Sequence, residues 1–226
     1  MKTSPFTALL LLLVMISSCS ESKTQAQTQN ISTNERVGGE CEGCEAIHEN
    51  TKPFTDLYWQ ITLPGYNSKG PKLHITGTVY TADGKTPAAG TILYFYHTDQ
   101  FGNYPQKGDE KGWARRHGYI RGWIKTNAKG QYAILTIKPA AYPNRQTPAH
   151  IHCIIKEKDL NEYYIGDFLF DDDPLVSNAE KTNIKVPAGN GVLKLEKKNG
   201  ILYGVRDIYL GRNIRGYPVA INKIKK

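Results

Sequence analysis

Long apolar runs are almost missing from this 226-residue chain. The one clear case, Ala8 to Ile16, is too short to span a bilayer as a helix. Hydrophobic residues make up 39% and charged residues 22%, which excludes a polytopic membrane protein and a wholly disordered chain. Helical periodicity fails beyond about one turn anywhere, so strands must build the core. Cysteine is scarce, with four in all. Cys41-x-x-Cys44 has no second such pair and no histidine pair at zinc-finger spacing, and no βαβ pattern surrounds it. A zinc half-site, a redox dithiol and a local disulfide are the three readings, and in an exported chain the disulfide is the default. Cys153 lies in an apolar run and is expected to be a buried, inert thiol. Phenylalanine is also sparse, six against fourteen tyrosines, so the aromatic surface is mostly phenolic. The formal charge of +8 is modest, and nucleic acid is not an expected partner.

The first residues read as an address. Lys2 precedes the apolar run, and Ile16-Ser17-Ser18-Cys19 ends it with small residues before a cysteine. That arrangement resembles a bacterial lipobox, which would remove residues 1–18 and anchor the exported chain to a membrane by lipid on Cys19. A polar stretch follows, and 19–52 is expected to be a tether carrying the Cys-x-x-Cys, with the folded domain at 53–226.

The rest is punctuated by glycine and proline. Leu73 to Tyr80 alternates with a period near two and ends at the Asp83-Gly84 turn. Gly90 to Tyr96 is rich in β-branched and aromatic residues. Gln131–Ile137, His150–Ile155, Tyr164–Phe170, Val192–Leu195 and Val205–Leu210 complete the expected strands. Such spacing predicts an all-β sandwich or a related barrel. The long insertion from Gln100 to Tyr119 is where function is expected to sit. Arg115-Arg116-His117 and the lysines at 223, 225 and 226 read as solvated charge, and Trp59, Trp113 and Trp123 as core or pocket wall.

On a strand, residues i and i+2 share a face, so His150 and His152 project together and could grip one metal ion. Alone, such a pair is ordinary. Its company is less so: Tyr142 stands eight residues before His150, and Tyr104 follows an earlier strand.

The ordered set Asp99-x-x-Gly102-x-Tyr104, Arg121-Gly122, Thr126, Gly130-x-Tyr132, Thr136-Ile137-x-Pro139, Tyr142-Pro143-x-Arg145 and His150-x-His152 resembles the intradiol ring-cleavage dioxygenases. The resemblance runs from about Leu73 to Leu175, with a weaker echo at Asp207-Ile208-Tyr209-Leu210. It implies a prealbumin-like antiparallel β-sandwich with long functional loops. It further implies non-haem Fe(III) held by Tyr104, Tyr142, His150 and His152, the substrates being a catechol-like aromatic and O2. Ferric iron is a hard acceptor, which suits phenolate oxygen better than thiolate sulfur. By the same resemblance, Tyr142 is the ligand that leaves and takes a substrate proton, and the ring opens between its two hydroxylated carbons to a diacid. Relatives assemble into dimers and larger forms, so a homo-oligomer is implied.

Two positions depart from the pattern. Relatives carry arginine three residues before the first metal histidine, where this chain has Thr147, and glutamine where it has Asp167. Both changes make the site less favourable to an anionic substrate, with Arg145, Arg115, Arg116 or Arg121 as possible replacements. Gly77-Thr78-Val79-Tyr80 with Asp83-Gly84 also resembles non-catalytic sandwich modules of surface proteins. An iron-binding protein without oxygenase activity is the third reading; modules of the second kind need no tyrosine–histidine quartet.

Overall fold

The computed structural model describes residues 1, 36–143 and 146–218. Cys19, Arg145 and the terminal lysines therefore lie outside the described residues. The described residues from 36 to 218 belong to one compact unit. Among the described residues, no helix is long and apolar enough to cross a membrane.

The described strands are β1 (Gln60–Thr62), β2 (Lys72–Tyr80), β3 (Ile92–His97), β4 (Arg121–Lys125), β5 (Gln131–Ile137), β6 (His150–Lys156), β7 (Tyr163–Tyr164), β8 (Phe168–Phe170), β9 (Val192–Leu193), β10 (Glu196–Lys198), β11 (Ile201–Val205) and β12 (Ile208–Tyr209). Two short helices, α1 (Ala114–His117) and α2 (Asn178–Thr182), and a 3-10 helix at Cys44–Glu49 accompany them. One sheet runs β1-β5-β2-β11-β10, with β12 continuing alongside β2. The other runs β4-β3-β6-β8-β9, with β7 also on β6. The all-β sandwich expected from the strand spacing is the architecture observed.

It is not wholly antiparallel. β1–β5, β2–β11, β2–β12 and β8–β9 pair in parallel. Parallel neighbours need a long connection, and the residues between β8 and β9, which include α2, supply one. The stretch expected as one strand from 205 to 210 breaks at Arg206-Asp207, because Thr78 N donates to Asp207 Oδ1 at 2.9 Å. That from 164 to 170 breaks where Asp167 turns toward His152.

The main core fills the gap between the sheets. Leu73, Ile75 and Val79 of β2 and Tyr132 and Ile134 of β5 face Leu93 and Phe95 of β3, Ile151, Cys153 and Ile155 of β6, and Phe168 and Phe170 of β8. Alternation then places Tyr94, Tyr96, His150, His152 and Ile154 on the outer face of the second sheet. That face is covered too. Cys44, Ala46 and Ile47 of the 3-10 helix pack there on Ile92, Tyr94 and Ile154. Burial on both faces explains the unbroken apolar reading of β3.

Residues 36–49 thus belong to the domain, and the expected boundary between 52 and 53 falls inside the packed structure. Val37 joins the main core, Val37 N donates to Asn161 Oδ1 at 2.9 Å, and Glu49 Oε2 pairs with Arg121 Nη1 at 2.6 Å. Cys41 and Cys44 form the local disulfide, and Cys153 is a buried free thiol.

Candidate metal centre

β6 is the rigid part of the site. His150 and His152 point to the same side of it, as the i, i+2 spacing requires, and their Nε2 atoms lie 3.1 Å apart. The tyrosines come from two loops stitched together. Thr98 Oγ1 donates to Ala140 O at 2.9 Å, and Ala140 N donates to Asp99 O at 3.0 Å. Asp99 Oδ1 in turn accepts from Phe101 N and Asn103 N, closing the turn that presents Tyr104. Gly102, at φ 79°, allows the closest approach: a Cβ there would lie 2.0 Å from Ala141 O. The loop after β5 therefore delivers Tyr142 against Tyr104, with their hydroxyls 2.6 Å apart. Tyr104 Oη is 2.9 Å from His152 Nε2, and Tyr142 Oη is 3.2 Å from His150 Nε2.

Four donor atoms thus converge from four side chains. Donors bound about 2 Å from one shared ion lie roughly 3 Å from each other, the spacing seen here. The histidine tautomers agree. His150 Nδ1 is 2.7 Å from Pro148 O, a carbonyl that only accepts, so Nδ1 carries the proton. His152 Nδ1 is 2.8 Å from Asp167 Oδ1, which fixes the same tautomer. With its Nδ1 facing an outward acceptor, each ring turns Nε2 inward as the donor atom. The phenol hydroxyls of Tyr104 and Tyr142 face these two nitrogens, and a cation bound between the four atoms would take the place of the phenol protons. Ligating histidines ordinarily have their second nitrogen held by a carbonyl or carboxylate in this way. The residues fit a metal ion.

The electrostatics favour the same use. Burial lowers the His150 pKa and keeps its imidazole neutral. Burial, then the hydrogen bond to Tyr142, raises that of Tyr104, so only a cation among these donors favours its phenolate. Burial pushes the Asp167 carboxyl up, but its contact with the His152 ring, with smaller contributions from His150 and Tyr164, outweighs this and leaves it below its ordinary value. His150, His152 and Asp167 also form a compact His/carboxylate group, in which Asp167 is placed to orient a ligand.

Other expected residues are dispersed. Thr147 is half-buried in the approach to β6. Arg121 is held by Glu49 and lies over Trp123. Arg115 donates to Glu110 O from an exposed position, and Arg116 pairs with Glu42. Of the tryptophans, Trp113 and Trp123 are half-buried, whereas Trp59 is 38% exposed and lies outside the core.

Several residues here were not among those expected. A cleft of about 200 Å³, sized for one small ring, borders the quartet and is lined by Tyr104, Tyr142, His152, Tyr96, His117, Trp113, Arg116 and Glu42. Tyr96 stacks between His152 and His117, with ring centroids 4.4 and 3.7 Å away. His117 is buried, not solvated charge as the basic run suggested. Arg206 is also buried. Its Nη1 donates to Gly166 O at 3.1 Å, and its guanidinium lies 4.1 Å over the Phe168 ring. Position two on alternating strands gave the signal for Tyr96; nothing local gave it for Arg206.

Residues 59–187, more than half of the chain, match the family model described as Dioxygenase. Over 114 residues the chain is 30% identical to the protocatechuate 3,4-dioxygenase beta chain of Burkholderia cepacia, covering 48% of each chain. Over 157 residues it is 30% identical to catechol 1,2-dioxygenase 1 of Acinetobacter lwoffii, covering 61% of this chain and 47% of that one. The chain thus spans about half the length of the curated relatives it matches. Among solved structures, the dioxygenase domain of a dioxygenase–carbohydrate-binding fusion from Streptomyces sp. SirexAA-E matches with a TM-score of 0.52 at 23% identity, covering 76% of this chain and 95% of that one. Catechol 1,2-dioxygenase from Acinetobacter sp. ADP1 gives 0.51 at 20%, covering 72% and 61%. These two structures share the fold.

Proposed function

The chain belongs to the intradiol ring-cleavage dioxygenase family, and on that footing we propose that it is an Fe(III) enzyme opening a catechol-like ring with O2. The observation that carries the reading is the convergence of Tyr104, Tyr142, His150 and His152, with both Nδ1 protons already committed. Ferric iron held there would supply a Lewis acid that favours the deprotonated substrate. The chain supplies the rest. Tyr142, which would be a phenolate while holding the ion, is placed so that its Oη would take up one substrate proton. Tyr104 stays on the loop pinned by Asp99 and Gly102. Pro148 O and Asp167 keep both imidazoles aimed inward. The cleft beside them admits one ring and limits water.

A ferric-loaded sample titrated with catechol without oxygen tests this. The expected result is a visible tyrosinate-to-iron band that shifts on catechol addition and is lost in Tyr104→Phe or Tyr142→Phe; oxygen is then consumed with formation of a diacid. A colourless protein that binds no iron overturns the proposal. Thr147, at a position where the resemblance implies a cation, favours a second reading in which iron is held without turnover. That outcome is a catechol-sensitive band with no oxygen uptake. Export and lipid anchoring at Cys19 are part of the same proposal, and detergent-phase partitioning lost in Cys19→Ala tests them.

A further inference from the structure

The cleft has a polar wall that the four donors do not use. His117 ends α1 and is 5% exposed, with Nδ1 2.9 Å from Tyr94 Oη. Tyr94 is fully buried, so its hydroxyl proton needs an acceptor. On its other side stands Arg121 Nη1, 3.5 Å away, and a guanidinium only donates. The Tyr94 proton therefore goes to His117 Nδ1. Desolvation by burial, reinforced by the positive charges of Arg121 and Arg116, holds the His117 pKa down to about 3, so the ring is neutral. With Nδ1 accepting, the remaining proton sits on Nε2.

That Nε2 has no hydrogen-bond partner among the described residues, although the ring lines the cleft. Gly43, at φ 84° inside the Cys41–Cys44 loop, lies in front of it, and a Cβ there would come within 3.0 Å of the nitrogen. The other face is fixed by Tyr96, whose ring separates His117 from His152. His117 is thus one ring's thickness removed from the metal-ligating atoms. Arg116, the cation at the mouth, is already engaged by Glu42 and lies over Trp113.

Resting on the dioxygenase reading, we propose that His117 is a substrate-binding residue. Its Nε2–H, oriented by Tyr94, donates to a hydrogen-bond-accepting oxygen on the part of the bound ring remote from the two hydroxyls. The preferred substrates are therefore catechols bearing such an oxygen, neutral or charged, over unsubstituted catechol.

The test compares catechol with 3,4-dihydroxybenzaldehyde, titrated without oxygen into ferric-loaded wild type, His117→Phe and His117→Gln. In His117→Phe the aldehyde is expected to bind about tenfold more weakly, the loss of one hydrogen bond, while catechol changes less than about twofold. His117→Gln, which returns an N–H near the Nε2 position, is expected to recover most of the difference. In metal-free wild type, nitrogen-15 correlation spectra are expected to show the Nε2–H tautomer, a readout that survives if a variant fails to fold. Equal losses for both probes with an unchanged iron band, no loss at all, or an Nδ1–H tautomer overturns the inference alone. Wild type that binds neither probe at iron overturns the dioxygenase reading and this inference together.

Discussion

His150 and His152 are equal as donors and unequal in what holds them. A backbone carbonyl fixes the first, and a carboxylate at 2.8 Å fixes the second. The carboxylate orients its ring and places a negative charge behind it. Asp167→Asn removes that charge while keeping the shape, and iron affinity is expected to fall about 10- to 100-fold, as for other residues that hold a ligand. Competition with a chelator measures it; a change under twofold would refute the orienting role. A different histidine, like His117, makes the fold sensitive to acid. His97 is fully buried, with Nδ1 2.7 Å from Thr98 O and Nε2 2.7 Å from Thr136 Oγ1, and burial lowers its pKa to about 4. The unfolded chain takes up this proton near pH 6.5, so the stability is complete above that value and is lost as pH falls through about 4. The loss amounts to about 3 kcal/mol. Urea midpoints of metal-free protein at pH 7 and pH 4.5 are expected to differ markedly in wild type and less in His97→Gln.

At the scale of elements, the site is a strand meeting two loops, and only the strand was self-evident. Period-two geometry put His150 and His152 together from the sequence alone. No local pattern brings Tyr104 to Tyr142, 38 residues away; the ordered family resemblance did that, and the loops explain it physically through Thr98, Asp99 and Gly102. Gly102→Ala is therefore expected to weaken iron binding tenfold or more without unfolding the sandwich, because its Cβ would meet Ala141 O. An unchanged chelator competition curve would show that the loops are not coupled. Strands β1, β4 and β10 were missed for different reasons, and β11 was caught only at Val205, the first residue of the stretch expected from 205 to 210. β1 is three residues with little burial, and β10 is three exposed residues, Glu196–Lys198, with no apolar pattern to read. β4 does alternate, but one of its two inward positions is Gly122, which carries no hydrophobic signal. His117 was hidden by its neighbours: beside Arg115 and Arg116 it reads as solvent-facing charge, and only the fold shows that α1 turns it inward.

On the scale of the whole molecule, the second sheet is sandwiched twice, by the first sheet inside and by residues 36–49 outside. Composition hid this. The polar run before Glu35 continues without an obvious break into Gly38-Gly39-Glu40, so the eye extends the tether to residue 52. Yet Val37, Cys44, Ala46 and Ile47 are buried, and the Glu49–Arg121 pair ties the segment to β4. Burying one Val or Ile side chain stabilises by about 1.5–3 kcal/mol, so Val37 and Ile47 together contribute on the order of 5 kcal/mol. A chain beginning at Pro53 leaves Ile154 and Tyr94 uncovered and removes the loop in front of His117. Its melting temperature is expected to fall by on the order of 10 °C against a chain beginning at Ser32. Exposed apolar surface should appear with it, read by dye binding. If the two chains melt within about 2 °C of each other, the segment is an attachment to the domain and not part of its structure. If they differ as expected, the outer cover supports both the fold and the polar wall of the cleft, and truncation weakens binding of oxygen-substituted catechols even below the melting transition.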